Sequence, residues 1–268
     1  MAAHACNNSA HTEANEKYWS SAADTVFKQE YVLEAQRMTL DHLKKNLSWL
    51  GVQEGQTKAK FMDYACGEGY ISRVGLSPQF HLILNPIAKT KAYGSLNTAQ
   101  FFTSYFSKCI GVDVAERMIE QFNMKARAEG FPEEKLYAVQ GSLSGNEASP
   151  SMAQEEFFNF DFIVISMALH HLSEPQLFIN HAFERLAPGG TLLVIDIEID
   201  PHSDLDLSKV EDPAARTIAH SGFTKDELEN MMSQSGYHDF EYSLMQGKIP
   251  MPGRFGGDKQ LFFACARK

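Results

Sequence analysis

Two short apolar runs, each closed by an acid, constrain this chain more than any other feature. The first, Phe61-Met62-Asp63-Tyr64-Ala65-Cys66, leads into Gly67-Glu68-Gly69, and the second is Cys109-Ile110-Gly111-Val112-Asp113. Buried parallel strands read as near-continuous apolar runs, and an open α/β sheet holds its ligand just beyond the carboxyl ends of its strands. Gly67 and Gly69 let the backbone turn sharply and approach a ligand with no Cβ in the way. Asp113, at the tip of the second run, is placed to accept hydrogen bonds from ribose hydroxyls. The pattern implies a pocket for an adenosine-type ligand.

Loop spacing separates the candidate ligands. A dinucleotide fingerprint requires G-x-G-x-x-G, and counting from Gly67 puts Ser72 in the third glycine position. Counting from Ala65 gives A-x-G-x-G, preceded by Asp63. This resembles motif I of the class I S-adenosylmethionine-dependent methyltransferases, with Ala65 where the family usually has its first glycine. An acid at Asp63 suits a ligand carrying an ammonium and a sulfonium and suits a pyrophosphate poorly. Val114 to Met118, following Asp113, is similar to the family's second motif. Tyr137 to Leu143 looks like its third strand and adenine-edge loop, although Ser142 stands where an acid is common. Phe160 to Leu172 matches the fourth strand and substrate-facing loop, and Leu186 to Asp196 matches the approach to strand five. Gly222-Phe223-Thr224 to Leu228 and Ser235-Gly236-Tyr237 resemble the late helix of small-molecule methyltransferases related to quinone-biosynthesis enzymes.

The resemblance covers residues 60 to 266. It implies a Rossmann-like α/β fold: a seven-stranded, mostly parallel sheet with an antiparallel last strand, helices on both faces and an N-terminal helical lid. It implies S-adenosyl-L-methionine as cofactor, held by Asp63, Ala65, Cys66, Gly67, Gly69, Asp113, Val114, Met118, Gly141, Ser142, Leu143, Ser166 and Met167. The expected activity is methyl transfer to a small-molecule acceptor.

Composition narrows the partners. The 24 basic and 34 acidic residues give a net charge of −10, and Lys and Arg are not clustered as a nucleic-acid surface requires. No apolar stretch reaches the roughly 18 residues of a membrane span, and the N-terminus lacks the charged and apolar regions of a signal peptide. The four cysteines, Cys6, Cys66, Cys109 and Cys265, are far apart, without a C-x-x-C pair. These features lead us to expect a cytoplasmic, reduced protein, monomeric or weakly dimeric, binding neither nucleic acid nor membrane.

Along the chain, small polar residues predict a disordered tail over 1–12 and a helical lid of two helices over 13–50, with the catalytic domain over 51–268. Strands are expected near 60–65, 109–113, 136–140, 160–167 and 191–197, with helices near 115–129, 174–187 and 224–235. The tail Asp239 to Leu244 and Gln260 to Ala266 should form an antiparallel hairpin. One segment breaks the pattern. Asp113 stands 44 positions after Gly69, where about 20 is usual, and removing residues 74–100 shortens the spacing to 17. Val74 fits a codon beginning GT, Gln100 fits CAG, and Leu96-Asn97-Thr98 fits a branch-point-like string. The segment reads either as a translated, retained intron or as a surface loop.

Methyl transfer asks for an aligned nucleophile, exclusion of water and sometimes a base. Imidazoles titrate near neutrality, so His170, His171 and His220 are the candidate bases, each with the alternative of a capping or loop-bonding role. Tyr18 and Trp19 are placed to cover a sulfonium through cation–π contact or to pack the N-terminal helix. Arg254 and Phe255 line the substrate mouth or belong to a solvated hairpin loop. Asp200, Asp204 and Asp206 read as an exposed acidic loop rather than a metal site. The competing readings are a non-catalytic or impaired methyltransferase-like binding protein and an NAD(P)-dependent oxidoreductase. The latter would need Gly at position 72 and a catalytic Tyr/Lys or His/Asp set after the fourth strand, which the sequence does not announce.

Overall fold

The computed structural model describes residues 2–52, 59–73, 101–202 and 205–268; the anomalous segment 74–100 and Asp204 lie outside the described residues. Among the described residues, the chain builds one sheet from β1 (Lys60–Tyr64), β2 (Lys108–Asp113), β3 (Leu136–Gln140), β4 (Phe160–Ser166), β5 (Leu186–Ile197), β6 (His238–Ile249) and β7 (Lys259–Arg267). The order across the sheet is β3-β2-β1-β4-β5-β7-β6. Strands β1 to β5 pair in parallel, β7 runs antiparallel to β5, and β6 runs antiparallel to β7. The Rossmann-like α/β fold expected from the sequence is the fold adopted.

Successive strand residues face opposite sides of a sheet, and β1 is buried on both faces from Phe61 to Tyr64. Phe61 packs with Leu43, Phe122 and Phe263 on one face, and Met62 packs with Ile110, Phe178 and Leu228 on the other. Helices α2 (Glu30–Lys45) and α5 (Glu116–Ala128) cover the first face, and α6 (Pro175–Arg185) and α7 (Lys225–Gln234) the second. Among the described residues between β1 and β2 are two short helices, α3 (Tyr70–Arg73) and α4 (Phe101–Tyr105). Phe102 anchors α4 by stacking on Phe61 at 5.0 Å, a contact worth about 0.5–1.5 kcal/mol beyond its buried area. Helix α7 opens with a capping box. Thr224 Oγ1 accepts from the Glu227 N–H at 3.2 Å, and Glu227 Oε2 accepts from the Thr224 N–H at 2.8 Å.

Two expectations need correction. The sequence leaves residues 1–12 disordered, yet α1 runs Ala2–Ala22. It has no apolar stripe to betray it, but Ala2, Ala3, Ala5 and Ala10 favour helix, and polar side chains dock it. His11 Nε2 donates to the His171 carbonyl at 2.9 Å, and Asn15 Nδ2 donates to the Thr217 carbonyl at 3.5 Å. Strand β5 starts at Leu186 instead of 191, because Leu186 pairs with Phe160 ahead of an irregularity in the β4–β5 register.

From β1 the chain moves outward through β2 to β3 and then returns to β4 on the other side of β1. The strand order reverses between β1 and β4, and an open sheet leaves its ligand crevice at such a reversal.

Candidate functional site

A cavity of about 290 Å³ lies at this reversal. Its floor comes from the β1–α3 loop and the carboxyl ends of β2 and β4. Its roof comes from α1, the 3₁₀ turn Val26–Lys28 and the start of α2. Val26, Phe27 and Trp19 pack against Ala23, Ala115 and Met118, which seats the roof on α5.

The β1–α3 loop turns through three left-handed residues: Ala65 (φ 55°), Gly67 (φ 51°) and Gly69 (φ 84°). Gly67 is required twice over, since a Cβ there would also lie 2.9 Å from Phe27 Cζ. Ala65 is strained by comparison. A left-handed L-residue costs about 1–2 kcal/mol, and glycine's extra entropy loss returns about 0.5–1 kcal/mol of that. Ala65→Gly should therefore raise the melting temperature by about 1–3 °C. A fall in a thermal scan would show that Ala65 is unstrained in solution.

Two carboxylates meet the cavity floor. Asp113 Oδ2 accepts from the Gly67 N–H and Oδ1 from the Ala115 N–H, both at 2.9 Å. Burial pushes its carboxyl up, and its main-chain donors pull it back down. Asp63 Oδ2 accepts from the Ser72 N–H at 3.1 Å and the Ser72 hydroxyl at 2.6 Å. Both bonds end on one oxygen, and among the described residues no donor reaches Oδ1. Burial pushes Asp63 up to about 7, with the Ser72 bonds opposing.

Two histidines follow β4 in the 3₁₀ turn Leu169–His171. His170 Nδ1 donates to Asp196 Oδ1 at 2.6 Å. His171 Nδ1 donates to the Thr217 carbonyl at 2.8 Å. Trp19 meets the His171 ring edge-on at 5.2 Å, and the two imidazoles lie 4.1 Å apart. Burial, and then His170 beside it, push His171 well below the usual imidazole range; the Thr217 bond opposes this, and His11 adds to it. His171 is therefore neutral near pH 7 with its lone pair on Nε2.

Of the residues singled out from the sequence, Asp63, Ala65, Cys66, Gly67, Asp113, Val114, Met118, Ser166, Met167, His170 and His171 line the cavity. Tyr18, Trp19 and Phe255 line it too. Gly69, Gly141, Ser142, Leu143 and His220 do not. Gly69 shapes the loop by donating to the Cys66 carbonyl at 2.8 Å. Gly141 is packed so closely that a Cβ would lie 2.6 Å from Met152 Sδ. Ser142 is turned to Ser149 and Ser144, while the Leu143 N–H donates to Tyr64 Oη at 3.0 Å. Ser144 reaches the cavity in their place. His220 lies against Phe223 at 5.3 Å, its Nε2 buried without a partner among the described residues. Arg254 pairs with Asp212 at 2.6 Å and its guanidinium lies over the Phe255 ring. Asp206 caps the 3₁₀ turn Leu207–Lys209, and Asp200 accepts from the His202 N–H.

Sequence reasoning missed Phe27, Tyr31 and Ser144 in the cavity wall and, behind it, the carboxylate of Asp196. The available signal for Asp196 was an acid closing the apolar run Leu192–Ile195.

A family model described as a methyltransferase domain matches residues 33–241. An uncharacterized methyltransferase of Schizosaccharomyces pombe is 27% identical over 187 residues, covering 67% of this chain and 54% of that protein. The chain spans about half the length of the curated relatives it matches. Among solved structures, a putative sarcosine dimethylglycine methyltransferase from Galdieria sulphuraria superposes with a TM-score of 0.58 at 13% identity, covering 88% of each chain. Phosphoethanolamine N-methyltransferase 2 of Haemonchus contortus, solved with S-adenosyl-L-methionine, gives 0.57 at 12% identity, covering 93% of this chain and 60% of that one. At these identities the structural likeness is one of fold.

Proposed function

Because this chain belongs to the methyltransferase-domain family, we propose that it transfers a methyl group from S-adenosyl-L-methionine to a small-molecule acceptor held under the N-terminal roof. The observation that carries this reading is the pairing, at one strand-order reversal, of a glycine-bearing loop with a buried carboxylate on the next strand. The residues fit the cofactor. Asp113 spends one lone pair of each oxygen on a main-chain N–H, and an ionised carboxylate has about four acceptor sites, so two remain for ribose hydroxyls. Gly67 turns the loop left-handed without a Cβ in the cavity wall, and Asp63 Oδ1 suits the ammonium of the methionine end. Ser72 argues against a dinucleotide: the third glycine of that fingerprint is replaced by a side chain already bound to Asp63.

When bound, the cofactor supplies a methyl group activated by its sulfonium. The chain's own contribution is to position and to dry the site. Asp113 and Met118 hold the nucleoside end. Trp19, Phe27 and Tyr31 roof the cavity against water, and the imidazoles after β4 offer a proton acceptor.

Calorimetry with S-adenosylhomocysteine against NADH tests the cofactor, with binding of the first alone expected. Incubation of a metabolite extract with methyl-labelled cofactor tests turnover, and mass spectrometry should find a labelled small molecule. Preference for NADH would overturn the reading.

A further inference from the structure

Strand β5 carries a carboxylate that the cofactor site does not use. Asp196 is fully buried at the end of an apolar strand, where a charge needs close partners. Its Oδ1 accepts from His170 Nδ1 at 2.6 Å and from the Ile197 N–H at 2.7 Å, and Oδ2 accepts from the His170 N–H at 3.1 Å. Parallel pairing makes this contact, since Ser166 on β4 stands opposite Ile195 on β5. With Nδ1 committed to the carboxylate, His170 Nε2 has no hydrogen-bond partner among the described residues. His170 is among the residues that line the cavity.

His171 is built differently, because a neutral carbonyl stands behind it. A proton taken by His170 forms a charge against Asp196, whereas one taken by His171 forms a charge against Thr217, His170 and His11. The titratable groups around the pair are thus Asp196 from β5, the other imidazole, and His11 reaching down from α1.

The rest of the wall narrows the acceptor. Among the described residues no Lys or Arg lines the cavity, and its acids are Asp63 and Asp113 at the cofactor end. Tyr18, Trp19, Tyr31, Met251 and Phe255 make the remaining wall largely aromatic and apolar. Arg254, which acts electrostatically on Tyr18 and Tyr31, is tied to Asp212. A carboxylate or phosphate on the acceptor would find no Lys or Arg among the described residues of this wall.

We propose that the acceptor is an uncharged aromatic or enolic compound methylated at a hydroxyl, that His170 Nε2 is the catalytic group taking its proton, and that Asp196 is the positioning residue behind it. The proposal rests on the methyl-transfer reading above. In the step, the methyl carbon's bond to sulfur breaks as its bond to the acceptor oxygen forms. The sulfonium becomes a neutral thioether, and the hydroxyl proton passes to Nε2 and later to solvent. Asp196 fixes the tautomer and lies against the imidazolium while it lasts.

The test uses the full chain saturated with S-adenosylhomocysteine and three probes sharing one ring: 4-methylphenol, 4-methylbenzoate and 4-methylbenzylamine. Calorimetry should show the phenol binding about tenfold or more tighter than either charged probe, a gap of about 1.4 kcal/mol. Equal or tighter binding of a charged probe, or no binding of the phenol, overturns the acceptor class. Failure of S-adenosylhomocysteine itself to bind would instead sink the methyl-transfer reading. Transfer of labelled methyl to 4-methylphenol should fall about 10²–10⁴-fold near pH 7 in His170→Gln and in Asp196→Asn, with S-adenosylhomocysteine affinity retained. As pH approaches about 10 a phenol ionises unaided, so both deficits should shrink to tenfold or less. A deficit flat with pH marks a merely structural role and overturns the dyad. If Asp196→Asn does not fold, His170→Gln alone carries the pH comparison. No transfer by a wild-type chain that binds both ligands also overturns the proposal.

Discussion

Asp113→Ala is expected to weaken S-adenosylhomocysteine binding tenfold to a hundredfold and to destabilise the chain as well. The two effects have separate causes. A charged acceptor for ribose hydroxyls is worth about 1.5–3 kcal/mol, which is that range of affinity. The same carboxylate also satisfies the Gly67 and Ala115 N–H groups, each at 2.9 Å. Leaving both buried and unpaired costs about 1–3 kcal/mol apiece, so unfolding stability should drop by about 2–6 kcal/mol. Asp113→Asn, which retains one acceptor oxygen, should fall between the two. Calorimetry and urea unfolding read the effects independently, and unchanged affinity in a folded Ala variant would show that the nucleoside end is misplaced.

Asp63→Asn should move stability the other way. The folded-state value of Asp63 is about 7 against an ordinary 3.8, chiefly because of burial. An acid raised in this way contributes its stability in full below the unfolded value. That contribution is lost as pH rises to about 7, and above it the fold carries a buried charge. Asn can keep both Ser72 bonds, because both end on one oxygen. At pH 8 the variant should be more stable by about 2–4 kcal/mol, and at pH 4 the gain should vanish. Affinity should move oppositely, falling about tenfold as the ammonium loses its anion. Urea unfolding at the two pH values decides: an equal gain at both would show that Asp63 is not the titrating group.

The parts of this molecule legible in its sequence are those fixed by local pattern. The first four strands announce themselves as apolar runs, and α5 and α7 as amphipathic stretches with polar starts. The glycine loop and Asp113 follow from the same logic, because their chemistry depends on residues adjacent in the chain. What escaped notice depends on contacts between distant positions. Asp196 meets His170 only because β4 and β5 pair in parallel register, and nothing in either segment alone announces the partner. Helix α1 docks through His11 and Asn15, polar residues that an apolar-periodicity reading passes over. Ser142 matched a motif by position, yet the loop turns it toward Ser149 and presents Ser144 instead. The first residues of β5 look like a turn because of Pro188 and Gly189, and Phe160 across the sheet makes Leu186 a strand residue all the same.

The cavity has two builders. The sheet's strand ends make the floor, and side chains from α1, the turn after it and α2 make the roof. The floor residues answer to the strands that hold them, so a change there disturbs β1, β2 and the core beneath. Tyr18 and Tyr31 carry no such obligation, since neither belongs to the buried core beneath the strands. On the methyl-transfer reading, a lineage of such chains can acquire a new acceptor by exchanging side chains on α1 and α2 while the proposed nucleoside site stays intact, an evolutionary independence that a cavity enclosed wholly within the sheet would lack.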